Sequence, residues 1–135
     1  MITLLNDYYV INSQRSTDVE TLFDITLLPE CCVYAGHFPG NPIAPGVYSI
    51  QMIKECAERL AGKQFLLACI EKCKFSAVIK PQTALHLQLR IHLSEIDTTM
   101  NTAVGVTTYQ VRAVVSDTTT TYIELKGKLI SSAEP

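Results

Sequence analysis

The chain has 135 residues, of which 47% are hydrophobic and 18% charged, and its formal net charge is −2. That length is one domain, residues 1–135, able to bury about two thirds of its unfolded surface. The charge balance gives no sign of a nucleic-acid footprint, and no apolar run reaches the ~20 residues of a membrane span.

The N-terminus, Met1-Ile-Thr-Leu-Leu-Asn-Asp, lacks the basic n-region of a signal peptide, so a cytoplasmic location is expected. Cysteines stand at Cys31, Cys32, Cys56, Cys69 and Cys73, an odd count that points to reduced thiols. Cys31-Cys32 and Cys69-x3-Cys73 lack a second pair at zinc-site spacing and are read as structural or incidental thiols.

Asp7 to Arg15, with Tyr8, Tyr9, Val10 and Ile11, predicts a first strand. Val19 to Leu28 alternates, placing Val19, Thr21, Phe23, Ile25 and Leu27 on one face. Gly36 to Gly46 then holds three of the six prolines and three of the six glycines. Proline removes N–H donors and glycine favours unusual dihedrals, so this is a stiff loop.

Val47 to Ala61 predicts a helix started by Pro45-Gly46 and stopped by a left-handed Gly62. Its apolar arc is expected at Val47, Ile50, Ile53, Cys56, Ala57, Leu60 and Ala61. Gln51, Glu55 and Glu58 lie opposite, toward water or another subunit.

Gln64 to Phe75 is the next strand. Ala84 to Ser94 is the clearest one: Leu85, Leu87, Leu89, Ile91 and Leu93 face one way, His86, Gln88, Arg90 and His92 the other. Thr102 to Val115 and Thr118 to Ile130 form a hairpin around Ser116-Asp117. One early helix and consecutive long strands amount to an α+β domain with an antiparallel sheet.

The stretch Gly36-His-Phe-Pro-Gly-Asn-Pro-Ile-Ala-Pro-Gly-Val47 resembles the signature of the 3-hydroxyacyl-[acyl-carrier-protein] dehydratases, Gly-His-Phe-Pro-Gly-x-Pro-x-x-Pro-Gly-Val opening a long helix. Ile70 to Phe75, then Val78-Ile79-Lys80-Pro81, matches that family's following strand and turn. The resemblance implies the hotdog fold, a bent antiparallel sheet around one helix, working as a homodimer. It also implies dehydration of 3-hydroxyacyl thioesters, linked to acyl carrier protein or coenzyme A, without metal or redox cofactor. In the family the histidine and the acid of one site come from different subunits.

By that resemblance His37 takes the proton from C2, an office suited to a side chain that titrates near neutrality. The alternative is a histidine that merely satisfies loop carbonyls. The Gly46 N–H, at the positive end of the helix dipole, is expected to polarise the thioester carbonyl, or else glycine simply suits the helix start.

Fourteen residues after His37 the family has a carboxylic acid, and here stands Gln51, whose amide has no labile proton. Glu55, one turn on, is the candidate replacement acid, held by Gln51; the alternative is a solvated glutamate. Phe38, Val47, Phe75 and Ile79 match positions near an acyl channel or are ordinary core. Lys54, Arg59, Lys72, Lys74 and Lys80 could meet phosphopantetheine or an acidic carrier, or be plain surface. His86 and His92 read as solvated. A hotdog thioesterase, a non-catalytic partner subunit, and a dehydratase completed by a hetero-partner remain as alternatives.

Overall fold

A computed structural model of the chain describes residues 3–36, 42–96 and 106–132. Two strands, β1 (Tyr9–Ser16) and β2 (Thr21–Leu27), precede a single helical turn, α1 (Val33–Gly36), and the long helix α2 (Gly46–Ala61). Four strands follow: β3 (Leu66–Phe75), β4 (His86–Ile96), β5 (Val106–Ser116) and β6 (Thr121–Ser132). They form one sheet of order β1-β2-β4-β5-β6-β3, antiparallel at every pairing.

α2 begins and ends where proline and glycine dictate. Pro45 caps its N-terminus with extended backbone, and Gly62 closes it at φ 66°, its N–H donating to the Glu58 carbonyl. That positive φ suits a residue without Cβ, which is why the helix stops there.

The alternating strands bury the faces expected of them: Phe23, Ile25 and Leu27 from β2, Leu87, Leu89 and Ile91 from β4, Ile123, Leu125 and Leu129 from β6. Met52, Ile53, Cys56 and Ala57 of α2 complete this core. Burial pushes the Cys56 thiol up to about 12, so it is an inert packing group.

Three expectations are corrected. Val19 lies in the turn before β2 and is exposed. Val47, placed on the apolar arc, is 71% exposed, while Ser49 and Met52 are buried instead. The arc of Gln51, Glu55 and Glu58 is half-buried, and Glu55 and Glu58 accept from this chain's own N-terminal segment and from the residue before β3, contacts that the expectation did not include. Hydrophobic periodicity could not anticipate that cover, because it comes from residues distant in sequence.

β3, an edge strand, is bulged between Leu67 and Cys69 and between Ile70 and Lys72. Gly127 of β6 lies opposite the second irregularity, where a Cβ would sit 2.5 Å from the Cys69 carbonyl oxygen. A backbone oxygen cannot step aside as a side-chain tip can. Gly127→Ala is therefore expected to cost about 2 kcal/mol, seen as a lower urea midpoint at unchanged slope.

The β5–β6 hairpin turns on Asp117, whose carboxylate accepts from the Thr119 and Thr120 amides at 2.9 and 2.8 Å and from the Tyr122 hydroxyl. The Tyr122 hydroxyl first, then the Thr119 amide, holds this carboxyl at about 2, against an ordinary 3.8. A depressed folded-state value means stability that is complete above the ordinary value and lost as pH falls toward 2. Acid titration of Asp117→Ala should show a shallower loss of stability over that window than the parent chain.

Candidate active site

The first turn of α2 carries backbone N–H groups with no intrahelical partner, and no side chain caps them. In front of that turn lies a cavity of about 270 Å³ lined by Ile43, Gly46, Ser49, Phe75, Ile79 and Ile123, among others. The Phe75 ring closes over Gly46: a Cβ on Gly46 would meet Phe75 Cζ at 3.0 Å. Glycine thus leaves room for this aromatic ring, itself half exposed, at the helix start. Ile79 anchors the loop opposite, its carbonyl accepting from the Ala44 amide at 2.8 Å.

Gly46, Phe75 and Ile79 are thus brought together around one apolar cavity, while Val47 projects from the helix beside it and does not line it. His37 and Phe38 lie outside the described residues.

Gln51 and Glu55 line a different hollow, of about 420 Å³, shared with Thr3, Leu5, Arg59 and Lys63. Gly46, Phe75 and Ile79 on one side and Gln51 and Glu55 on the other thus line different hollows.

Glu55 is held on every side. Its Oε2 accepts from the Leu4 amide at 2.8 Å and from Gln51 Nε2 at 3.0 Å. Its Oε1 accepts from the Leu5 amide at 3.0 Å and from the Tyr9 hydroxyl at 2.9 Å. All four partners donate, so both oxygens act as acceptors. Burial, followed by the nearby Cys56 and Glu55, raises the Tyr9 phenol well above its ordinary value, which keeps it a donor.

The expected Gln51–Glu55 hydrogen bond is present. The Leu4, Leu5 and Tyr9 partners were missed because they lie 46 to 51 residues away with no local signature.

Glu58 does similar work, accepting from the Phe65 amide at 2.9 Å and from Lys54 Nζ at 3.2 Å. Lys54, expected as a contact for a carrier, is buried at 9% exposure beside Glu58 and cannot meet one. Lys72, Lys74 and Lys80 are exposed, as are His86 and His92.

A second, unforeseen cluster supports the start of α2. Tyr34 stacks on Tyr8 at 6.0 Å, and Tyr8 meets Tyr48 edge-on at 5.1 Å. The Tyr34 hydroxyl is buried with no hydrogen-bond partner among the described residues.

Six antiparallel strands against one long helix, with an apolar cavity at that helix's N-terminus, define a hotdog-fold protein. The profile of the ApeI-like family, described as ApeI dehydratase, matches residues 13–113, and the chain belongs to that family.

The 3-hydroxyacyl-[acyl-carrier-protein] dehydratase FabZ of Levilactobacillus brevis is 34% identical over 102 residues, 67% of this chain and 69% of the relative. FabZ of Caldanaerobacter subterraneus subsp. tengcongensis is 38% identical over 65 residues, 43% of this chain. There the chain covers about half of the relative's length, 46%.

Among solved structures, the dehydratase heterocomplex ApeI:P from Xenorhabdus doucetiae matches with TM-score 0.62 and 23% identity, over 89% of this chain and 96% of that one. A thioesterase from Haemophilus influenzae matches with TM-score 0.53 and 10% identity, over 94% and 80%. At these identities the likeness is one of fold. Among the described residues, no helix is long and apolar enough to cross a membrane.

Proposed function

We propose that this chain is one subunit of a dehydratase that converts 3-hydroxyacyl thioesters to trans-2-enoyl thioesters, and that a second, non-identical hotdog chain supplies the acid. The reading rests on one observation: Glu55, the carboxyl one turn from the family's acid position, is consumed as a four-fold acceptor within its own chain, with Gln51 as one of its donors.

In this mechanism the thioester carbonyl oxygen accepts from the Gly46 amide, which stabilises the enolate formed when His37 removes the C2 proton. The electron pair then forms the C2–C3 double bond as the 3-hydroxyl leaves. A carboxylic acid of the partner protonates that hydroxyl, so it departs as water. The acyl chain lies along Phe75 and Ile79.

Two features support a partner. Gly46 and Gln51 line separate hollows in one chain, which favours a site completed by a second subunit. Edge strand β3 exposes Leu66 at 63% and Ile70 at 43%, an unpaired rim that another sheet edge would cover. The neighbouring fold from Xenorhabdus doucetiae is itself a dehydratase heterocomplex.

The test is enoyl formation from a 3-hydroxyacyl carrier-protein thioester. The chain alone should yield little, and addition of a hotdog chain bearing the family's glutamate should bring activity. Full-rate dehydration by the chain alone would overturn the hetero-partner reading. Release of free thiol without enoyl product would move the assignment to thioester hydrolysis.

A further inference from the structure

Gln51 is held by one end of its amide. Its Nε2 donates to Glu55 Oε2 at 3.0 Å, and Glu55 does not depend on Gln51 for its place. The Leu4 and Leu5 amides and the Tyr9 hydroxyl fix that carboxyl at 2.8, 3.0 and 2.9 Å. Backbone N–H groups only donate, so Glu55 turns acceptor oxygens toward them and toward Gln51.

A glutamine amide has a donating end and an accepting end, and what a neighbour offers decides which end faces it. Turning Gln51 round would set its carbonyl oxygen against an oxygen of Glu55 and forfeit the bond. The amide is therefore locked with Oε1 away from Glu55.

That oxygen accepts from no donor among the described residues. It is not sealed in either: among the described residues the buried side-chain polar atom without a partner is the Tyr34 hydroxyl, not an atom of Gln51. Gln51 lines the hollow of about 420 Å³ together with Arg59 and Lys63. Both cations are engaged by other elements, Arg59 Nε by Gln14 Oε1 at 3.2 Å and Lys63 Nζ by the Tyr109 hydroxyl at 3.0 Å. The hollow thus presents a neutral acceptor of fixed direction that no described donor fills.

We propose that Gln51 selects a hydroxylated thioester, its Oε1 accepting from the 3-hydroxyl of an acyl chain held at a neighbouring subunit. The inference rests on the dehydratase reading and names what the acid position does once the acid is gone. An amide oxygen takes a hydrogen bond from a hydroxyl but has no proton with which to make it leave. Gln51 therefore contributes recognition, and Glu55, which acts through it, is a positioning residue. A saturated or enoyl chain brings no donor to this oxygen and leaves it to water.

The test is isothermal titration calorimetry of the full chain with two pantetheine amides of equal chain length, one 3-hydroxyacyl and one saturated. Nitrogen in place of the thioester sulfur keeps C2 from reacting. The hydroxylated ligand should bind about fivefold more tightly, the equivalent of one net hydrogen bond at ~1 kcal/mol. That margin should vanish in Gln51→Met, which keeps the length without an amide, and persist in Gln51→Glu, which keeps an acceptor oxygen. The carbon resonance of the Gln51 side-chain carbonyl should move with the hydroxylated ligand and stay still with the saturated one. A glutamine that only braces Glu55 would show no such difference.

Equal binding of the two ligands, or binding of neither, would overturn the proposal. So would a Gln51→Met chain that binds both more weakly by the same factor, which would set Gln51 against the pantetheine arm instead. Enoyl formation with the partner chain is measured alongside. Product without a hydroxyl margin overturns this inference and leaves the dehydratase reading standing, and a margin without product does the reverse.

Discussion

Replacing Gln51 by glutamate is expected to give the chain a dehydratase activity of its own, with a rise of about 100-fold in enoyl formation without any partner. The reason is local. The introduced carboxyl would stand one turn before Glu55, whose oxygens are already engaged by the Leu4 and Leu5 amides and the Tyr9 hydroxyl.

Two carboxyls that close do not both ionise readily, and the one with fewer donors keeps its proton. The introduced group therefore retains a proton to give to the departing hydroxyl of a neighbouring copy. The cost is small, the loss of the Gln51 amide as a donor to Glu55, about 1 kcal/mol. Steady-state assay of Gln51→Glu beside the parent chain checks this, and no gain over the parent would mean that the missing acid is not what limits it.

Glu55→Ala is the complementary change, with its effect on stability. It leaves two backbone amides and a phenol without their acceptor in a part-buried place, and it frees the N-terminal segment from α2. A loss of about 3 kcal/mol follows from hydrogen bonds to a charged group at ~1.5 to 3 kcal/mol each, discounted for water entry. Thermal melting should fall by roughly 10 °C, with Tyr9→Phe accounting for about 1 kcal/mol of it.

Glu55→Gln separates scaffold from chemistry, since an amide oxygen still accepts from some of these donors. In the two-chain dehydratase it should cost some stability and little turnover. A hundredfold drop in turnover with melting nearly unchanged would instead make Glu55 the acid.

Much of this molecule can be read without coordinates. Pro45-Gly46 and Gly62 bound the helix because proline and glycine constrain their own backbone, whatever surrounds them. The inward faces of β2, β4 and β6 follow from alternation, since side chains along a strand point to opposite sides. The same patterns, with the stiff Gly36–Gly46 run and its family resemblance, fixed the fold class and named Gly46, Phe75 and Ile79, which then line one cavity.

What the tertiary structure decided are relations between residues far apart in the chain. β3 travels to the far edge of the sheet beside β6, leaving Leu66 and Ile70 as an exposed apolar rim. Glu55 lies on a helical arc that periodicity assigns to solvent or to another subunit. Only the docking of Leu4, Leu5 and Tyr9 shows why a glutamate stands there.

Short-range sterics and alternation act within a few residues and so are written in the local sequence. Strand order, register and the partner of a buried carboxylate depend on contacts that close long loops, and only the folded chain specifies them.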